Sequence, residues 1–277
     1  MLQGLKIYTY RDNSVKISSG TNLTDSINGV MCSRQSFLTK NDWREPSQAE
    51  RDILYETSNN HTSHCNLNFV TLVQIPNLYF NLFNKCGVTD TLKQEQMSPL
   101  FESNKFKHAL NEYAVFLKQI HKGDNELLKS QGLHLGKANL AGTAFDAKIN
   151  QYVGLHFDSW DTTTLGRENA RNRICLNLSE ESRYLTIINL TYNQICSVLQ
   201  IDYETYKMKP SIVRNLFLTK FPDYPVIQIE IKSGEAYIAP TDNILHDGNS
   251  MGKKKKDVSI TFLGNFNFDK LKNVFKI

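Results

Sequence analysis

Residues 152–160 read YVGLHFDSW, and this stretch decides how the whole chain is interpreted. A histidine and an aspartate interrupt what is otherwise the apolar pattern of a β-strand. Strand side chains point alternately to two faces, so His156 and Asp158 share one face while Leu155 and Phe157 share the other. Two polar groups on one face of an apolar strand are costly without a partner, and a metal ion is a partner that suits both.

The composition is typical of a soluble globular protein. The chain has 277 residues, 40% hydrophobic and 22% charged, which is enough to bury a full core as one compact unit. Because no long apolar run and no secretory signal pattern occurs, the sequence predicts no membrane span and a cytoplasmic location. The net charge of +4 is mild, and no broad basic stripe is interleaved with aromatics, so nucleic acid is not favoured as a partner.

The cysteines form an odd, widely spaced set without a CxxC pair. This pattern argues against both a disulfide framework and a cysteine zinc site, and it predicts reduced, mostly buried thiols. The histidines of HTSHC at 61–65 lack a second group of ligands at zinc-binding spacing, so a polar surface loop is favoured there. The five cysteines are Cys32, Cys65, Cys86, Cys175 and Cys196.

Residues 1–140 are predicted to form an N-terminal extension, a hairpin plus helices, packed on a core. Residues 4–18 alternate apolar and polar on either side of the polar turn RDNS, which favours a hairpin. From 46 to 131 the pattern is mainly helical, with Ser47 as an N-cap and apolar residues at helical spacing over 104–120. One strand is predicted within NFVTLVQI at 68–75.

Residues 141–277 are predicted to form the catalytic core, built from short strands separated by turn residues. Their number favours a closed or sandwiched β-architecture, and a helical insert at about 192–222 divides them. The predicted fold class is therefore α+β with a mainly β core. The predicted strands lie in GTAFDAKIN, QYVGLHFDSW, RICLNLS, RYLTIINLT, VIQIEI, EAYIAP, ILHDG and VSITFLGNF.

A third metal ligand is predicted at His246, 90 residues after His156. It follows a strand led by Gly234 and ended by Pro240, after the polar turn TDN. Distant strands become neighbours in a rolled sheet. Two imidazoles and one carboxylate would then form the facial set that leaves half of an octahedral iron open.

Over about 141–267 the chain resembles the Fe(II)- and 2-oxoglutarate-dependent oxygenases. The HxD motif of that family reads His156-Phe157-Asp158 here, the glycine-led strand reads GEAYIAP, the distal histidine is His246, and the closing strand reads DVSITFLGNF. The resemblance implies a double-stranded β-helix, or jelly roll, with iron held by these three ligands.

The same resemblance implies the activity. The chain would be an oxidoreductase, a dioxygenase that uses Fe(II), O2 and 2-oxoglutarate as co-substrate. Decarboxylation of 2-oxoglutarate to succinate would accompany hydroxylation of a small molecule such as an amino acid or its derivative. Desaturation or ring closure of the substrate stays open, as does the oligomeric state.

The cation that anchors 2-oxoglutarate departs from the family pattern. The family usually has an arginine two residues before a serine on the closing strand, but the residue two before Ser259 is Asp257. Three alternatives remain, each also compatible with a surface ion pair: Arg173 is ranked first, Arg183 second and Lys256 third.

The loop after the HxD strand supplies the candidates for substrate contact, because loops at the rim of a rigid barrel commonly bind substrate. These candidates are Trp160, Asp161 and Arg167. Two other classes of protein stay open at this stage. One is a cupin-like metal- or sugar-binding jelly roll without oxygenase activity, and the other is a non-catalytic interaction protein in which HxD is incidental.

Overall fold

The computed structural model describes residues 1–11, 13–27, 30–55, 68–89 and 92–275 and has a mixed α+β architecture with extensive β-sheet. The strands are β1 (Lys6–Thr9), β2 (Val15–Ser18), β3 (Thr21–Ile27), β4 (Val30–Thr39), β5 (Phe69–Gln74), β6 (Lys129–Gly136), β7 (Phe145–Asp146), β8 (Gln151–Gly154), β9 (Asn172–Asn177), β10 (Arg183–Thr191), β11 (Val226–Ile231), β12 (Glu235–Ala239), β13 (Ile244–Asn249) and β14 (Asp257–Gly264). The helices are α1 (Gln48–Leu54), α2 (Asn77–Lys85), α3 (Met97–Glu102), α4 (Asn104–Ile120), α5 (Thr162–Leu165), α6 (Tyr192–Leu199), α7 (Tyr203–Tyr206), α8 (Pro210–Lys220) and α9 (Phe268–Phe275), with 3-10 turns at Gln94–Gln96, Asn125–Leu127 and Arg167–Asn169.

Two sheets pack face to face around an apolar interior. The larger has six strands in the order β1-β5-β12-β9-β14-β6, and the smaller has four in the order β13-β10-β11-β2. Side chains from both sheets, among them Leu72, Tyr237, Leu185 and Ile229, form one buried cluster between them. A third sheet, β3-β4-β8-β7, lies beside the smaller one, and an isolated bridge from His156 to His246 links the two.

Helices cover the outer faces of the two central sheets. Helices α2, α3, α4 and α9 contribute to a buried cluster with outward residues of β9 and β14, such as Leu176 and Phe262. Helices α6 and α8 pack against Leu155 and Phe157, the two apolar residues that alternate with His156 and Asp158. The predicted alternation around the HxD motif is therefore confirmed.

Several local predictions are confirmed. Helix α4 covers the predicted 104–120 segment, and Ser47 caps α1 by accepting from the backbone N–H of Glu50, while the Glu50 side chain accepts from Ser47 N–H. Strand β5 falls within 68–75, and α6 to α8 occupy the predicted helical insert. The predicted core strands from 172 onward are present as β9 to β14.

The hairpin predicted at 4–18 is wrong. Strand β1 pairs in parallel with β5, whereas β2 pairs antiparallel with β11 in the other sheet. Between them, Arg11 forms ion pairs with Glu230 at 3.1 Å and Glu235 at 2.9 Å, and these carboxylates belong to β11 and β12. Because this guanidinium binds carboxylates from both sheets, the connection crosses between sheets instead of turning back on itself.

Two strand predictions near the HxD motif also differ from the structure. Strand β6 was not predicted, because its sequence KSQGLHLG has two glycines and little alternation, yet it pairs along β14. The strand predicted through 160 leaves its ladder after Gly154, which has a φ of 66°. A Cβ at Gly154 would lie 2.5 Å from the Phe37 carbonyl oxygen, so this turn requires glycine.

The division predicted at residue 140 stays a prediction, but it does not coincide with a boundary between sheets, since β1, β2, β5 and β6 all belong to the two central sheets. Cys32, Cys175 and Cys196 are buried free thiols and Cys86 is half-buried. The segment 61–65, with its histidines and Cys65, lies outside the described residues. Across the described ranges, every helix is too short or too polar to cross a lipid bilayer.

Candidate metal centre

Three predicted ligands converge between the end of β8 and the start of β13. The ligand atoms of His156, Asp158 and His246 all lie within 4.8 Å of one another. His156 Nε2 is 3.4 Å from Asp158 Oδ1, and His246 Nε2 is 3.5 Å from Asp158 Oδ2. Their distance in sequence is therefore closed by the fold into one compact group of two imidazoles and a carboxylate.

Backbone hydrogen bonds fix the relative position of the three ligands. His156 and His246 exchange two of them, with N···O distances of 3.0 and 2.9 Å, and the Asp158 N–H donates to the Thr241 carbonyl at 3.0 Å. A directly hydrogen-bonded antiparallel pair places its two side chains on the same face. Sheet geometry, rather than a long loop, thus sets the spacing of the two imidazoles.

The imidazole rings are oriented with Nε2 towards the centre. His156 Nδ1 lies 2.9 Å from the Gly154 carbonyl, and His246 Nδ1 lies 3.2 Å from the Ile244 carbonyl. A carbonyl oxygen only accepts, so each Nδ1 carries the proton and each Nε2 keeps a free lone pair. This is the tautomer that a metal ligand needs.

The centre contains buried polar atoms that lack a hydrogen-bond partner, namely Asp158 Oδ2 and His246 Nε2. Each such atom costs about 1–3 kcal/mol. Burial would raise the pKa of Asp158, but Arg173 and the imidazoles hold it well below its usual range, while burial lowers the pKa of His246. An ionised carboxylate beside a neutral imidazole fits a divalent metal ion, which would satisfy both orphaned atoms.

Metal affinity should depend on pH through His156. Burial lowers its pKa, but the hydrogen bond and charge of Asp158 outweigh burial, so the pKa lies above the usual value for histidine. A proton and a metal compete for the same Nε2, so affinity should be flat above that pKa and fall about tenfold per pH unit below it. Titration with Fe(II) between pH 6 and 8.5 measures this, and an affinity independent of pH over that range would contradict it.

Arg173, on β9, lies directly beside the centre. Its Nη2 is 3.0 Å from Asp158 Oδ2, and its guanidinium carbon lies 5.5 Å from the centre of the Trp160 ring. The Arg173 side chain is 19% exposed and Trp160 is 46% exposed, so the two stand at an opening of the site. Burial lowers the pKa of Arg173, but the Asp158 carboxylate outweighs it and keeps the guanidinium charged.

A second cationic group lies deeper, around Arg183. Its Nη2 is 3.3 Å from Asp257 Oδ2, its Nη1 donates to Cys175 Sγ at 3.2 Å, and Lys253 binds the other Asp257 oxygen at 2.9 Å. All four residues are buried. Asp257, which replaces the expected arginine before Ser259, is thus neutralised by two cations from neighbouring segments.

The remaining candidates for co-substrate binding have different settings. The Lys256 ammonium donates to the Leu92 carbonyl, which directs it away from the three ligands. Ser259 is buried on β14 opposite Asn177, at the level of Glu235 and His134 in the larger sheet. Neither residue contacts the His-Asp-His group.

The setting of Asp161 differs from the predicted substrate contact. Arg171 binds both its oxygens at 2.8 Å, and the Asp161 N–H donates to Asp242. Burial raises its pKa, but these contacts lower it further. Asp161 is therefore occupied in holding the loop, whereas Trp160 remains open at the rim.

Arg167 is also buried, with 1% of its surface exposed, and has no carboxylate in ion-pair contact among the described residues. It donates to the carbonyls of Asp158 at 3.0 Å, Asp242 at 2.6 Å and Lys207 at 3.1 Å, and its guanidinium carbon lies 4.6 Å from the centre of the Tyr192 ring. It therefore ties the metal-ligand segment to the turn before β13 and to the helical insert.

Replacing Arg167 with methionine should lower the free energy of unfolding by about 2–4 kcal/mol, because buried carbonyls lose their donor. Urea denaturation of the metal-free protein measures the change. Arg44→Met is the control, since Arg44 is 51% exposed and its ion pair with Glu50 should contribute less than about 1 kcal/mol. Equal losses in the two variants would contradict the structural role of Arg167.

Two residues at this site were not singled out in the sequence. Tyr237 lies opposite Cys175 in the register of β12 and β9, and its hydroxyl bonds with Arg173. Alternation within GEAYIAP places Tyr237 on the inner face, and this signal was available. The burial of Lys253 was not predictable, because it stands in a run of four lysines that reads as a solvated loop.

Among solved structures, the chain is similar to the Kdo hydroxylase KdoO, a non-heme Fe(II) alphaketoglutarate dependent dioxygenase, in complex with alphaketoglutarate and Fe(III). The identity is 16% and the TM-score 0.45, with 75% of this chain and 86% of that chain covered. For the complex of KdoO with cobalt(II), these values are 15%, 0.42, 75% and 86%. No family model and no curated protein matches the chain. Because identity and TM-score are low, the assignment of the site rests on this chain's own residues.

Proposed function

We propose that the protein is an Fe(II)- and 2-oxoglutarate-dependent dioxygenase that hydroxylates a small molecule. The observation that carries the proposal is the convergence of His156, Asp158 and His246, with two buried ligand atoms that lack any hydrogen-bond partner. A facial set of two histidines and one carboxylate is diagnostic of non-haem Fe(II) oxygenases. A cytoplasmic location and a small-molecule substrate stay part of this proposal.

The order of the strands supports a double-stranded β-helix as the finer description of the fold. From β6 onward, strands β6, β9, β12 and β14 belong to the larger sheet, whereas β10, β11 and β13 belong to the smaller sheet. The bridge between His156 and His246 adds the end of β8 to the smaller group. The chain thus winds from one sheet to the other with the metal centre at one edge.

Arg183 is the best-placed anchor for the distal carboxylate of 2-oxoglutarate. A Cβ at Gly248 would lie 3.0 Å from Arg183 Nη2 and 2.2 Å from Thr143 Oγ1, so glycine there lets the guanidinium approach β13. Gly248 is two residues beyond His246 on the same face, a spacing of about 6.7 Å, which is comparable to the length of a five-carbon dicarboxylate. Arg173 is less suited, because it contacts the metal ligand Asp158 itself.

The other inward residues suit a dry reaction site. Leu185, Ile187 and Ile229 line the interior and are essentially without exposed surface. Iron held by the three ligands would supply the activation of O2 that couples decarboxylation of 2-oxoglutarate with hydroxylation. The chain's own residues would hold the ligands, orient the keto acid along β13 and exclude water.

An anaerobic absorption experiment tests the proposed function. Fe(II) and 2-oxoglutarate are added together to metal-free protein, and the weak visible charge-transfer band of a chelated keto acid is expected. Adding either component alone should give no band. Tight Fe(II) binding without a band in the presence of 2-oxoglutarate would overturn the oxygenase assignment and leave a metal-binding jelly roll.

A further inference from the structure

The charges around the metal centre are not balanced once metal and keto acid are bound. Within the described ranges, Asp158 is the carboxylate in ion-pair contact with Arg173, at 3.0 Å. A divalent ion on Asp158 carries more charge than that carboxylate can neutralise. Arg173 would then face a cation instead of an anion, in a half-buried position where an unpaired charge is costly.

The two charges of 2-oxoglutarate do not restore the balance at Arg173. The carboxylate next to the keto group binds the metal, where it and Asp158 together neutralise the divalent ion. The distal carboxylate is taken by the deeper group, in which Arg183 and Lys253 share the single charge of Asp257 and leave one positive charge over. Asp247 does not help, since it points to the other face of β13 and accepts from the backbone of Thr143 and Ala144. One positive charge is left at Arg173.

Resting on the proposed function, we infer that the primary substrate carries a carboxylate, which binds Arg173 at the rim of the site beside Trp160. A carboxylate matches the single surplus charge, and its planar geometry suits the guanidinium fork. Trp160 is 46% exposed next to this cation and offers an apolar surface to the body of the substrate. Arg173 is thus a specificity-determining residue rather than the keto-acid anchor.

Tryptophan fluorescence tests the surplus charge without knowledge of the substrate. In Trp43→Phe, Trp160 is the single tryptophan of the chain. Quenching by iodide is measured at constant ionic strength, with neutral acrylamide as the matched quencher, before and after anaerobic addition of Fe(II) and 2-oxoglutarate. Loading should raise the iodide constant, and Arg173→Gln should lower the loaded value about threefold, with acrylamide unchanged.

Two further variants keep the test decisive. Arg173→Lys retains the charge and should retain most of the iodide effect. The rise on loading is measured with Arg173 intact, so it does not depend on how well the glutamine variant folds. No rise on loading, or equal iodide quenching in Arg173→Gln, would overturn the inference.

Failure of the inference is distinguishable from failure of the proposed function. If the charge-transfer band of bound 2-oxoglutarate does not form in the wild-type protein, the proposed function fails. If the band forms but Arg173→Gln abolishes it, Arg173 is the keto-acid anchor and this inference is overturned. In a panel of small carboxylic acids and their matched amides, the acids should stimulate succinate release at least tenfold more, and equal stimulation by the amides would also overturn it.

Discussion

Replacing His246 with alanine should lower the affinity for Fe(II) by more than about a hundredfold and abolish the charge-transfer band with 2-oxoglutarate. Loss of groups that merely orient a metal ligand costs 10- to 100-fold, and His246 is a ligand in its own right. The imidazole is almost fully buried, and its Nε2 has no hydrogen-bond partner within the protein, so no described contact is lost at that atom. Anaerobic titration with Fe(II) measures the affinity.

The control for this prediction is His108→Ala. His108 lies on the exposed face of α4 and its side chain is 64% exposed, so its removal should leave both affinity and band unchanged. Both variants should keep the circular dichroism of the parent, because neither histidine forms part of the apolar core. Retention of tight Fe(II) binding by His246→Ala would remove the basis for the proposed centre.

Replacing Arg183 with glutamine should weaken 2-oxoglutarate binding by roughly 30- to 150-fold, corresponding to about 2–3 kcal/mol for hydrogen bonds to a charged group. Fe(II) affinity should stay within about threefold, since Arg183 is not printed by the geometry among the metal ligands and Asp158 keeps Arg173 as its neighbour. Asp257 would keep Lys253 at 2.9 Å, so the substitution leaves this carboxylate paired. Titration of the absorption band with 2-oxoglutarate gives the affinity.

The matched control is Lys256→Gln, because it also removes one positive charge close to Asp257 in sequence. The Lys256 ammonium donates to the Leu92 carbonyl rather than towards the centre, so 2-oxoglutarate affinity should be unchanged. A larger loss in Lys256→Gln than in Arg183→Gln would assign the anchor to the closing strand and contradict the role of Arg183.

The metal ligands could be predicted from the sequence because strand alternation is a local rule. His156 and Asp158 stand two residues apart between apolar neighbours, and this spacing alone places them on one face. His246 follows a glycine-led strand and a polar turn, and both signals are local as well. The same holds for α4 and the N-cap of α1, whose patterns lie within a single turn or face of a helix.

The contacts that were not predictable join segments far apart in the chain. Arg167 is nine residues from Asp158 but 75 from Asp242 and 40 from Lys207, and no local pattern states that one guanidinium will bind all three carbonyls. The predicted hairpin at 4–18 failed for the same reason, because alternation around a polar turn describes two strands but not the sheet that each strand joins. Pairing with β5 and β11 decided that outcome.

The pairing of β2 with β11 has a consequence for the order in which the protein is made. Residues 15–18 leave the ribosome long before their neighbours at 226–229, so β2 waits for most of the chain to be synthesised before it gains a partner. Sheets closed by such remote pairs fold slowly and expose unpaired edges meanwhile. The His246 ligand emerges later still, so iron can be loaded only near the end of translation, and growth at lower temperature with co-expressed chaperones should raise the yield of metal-competent protein.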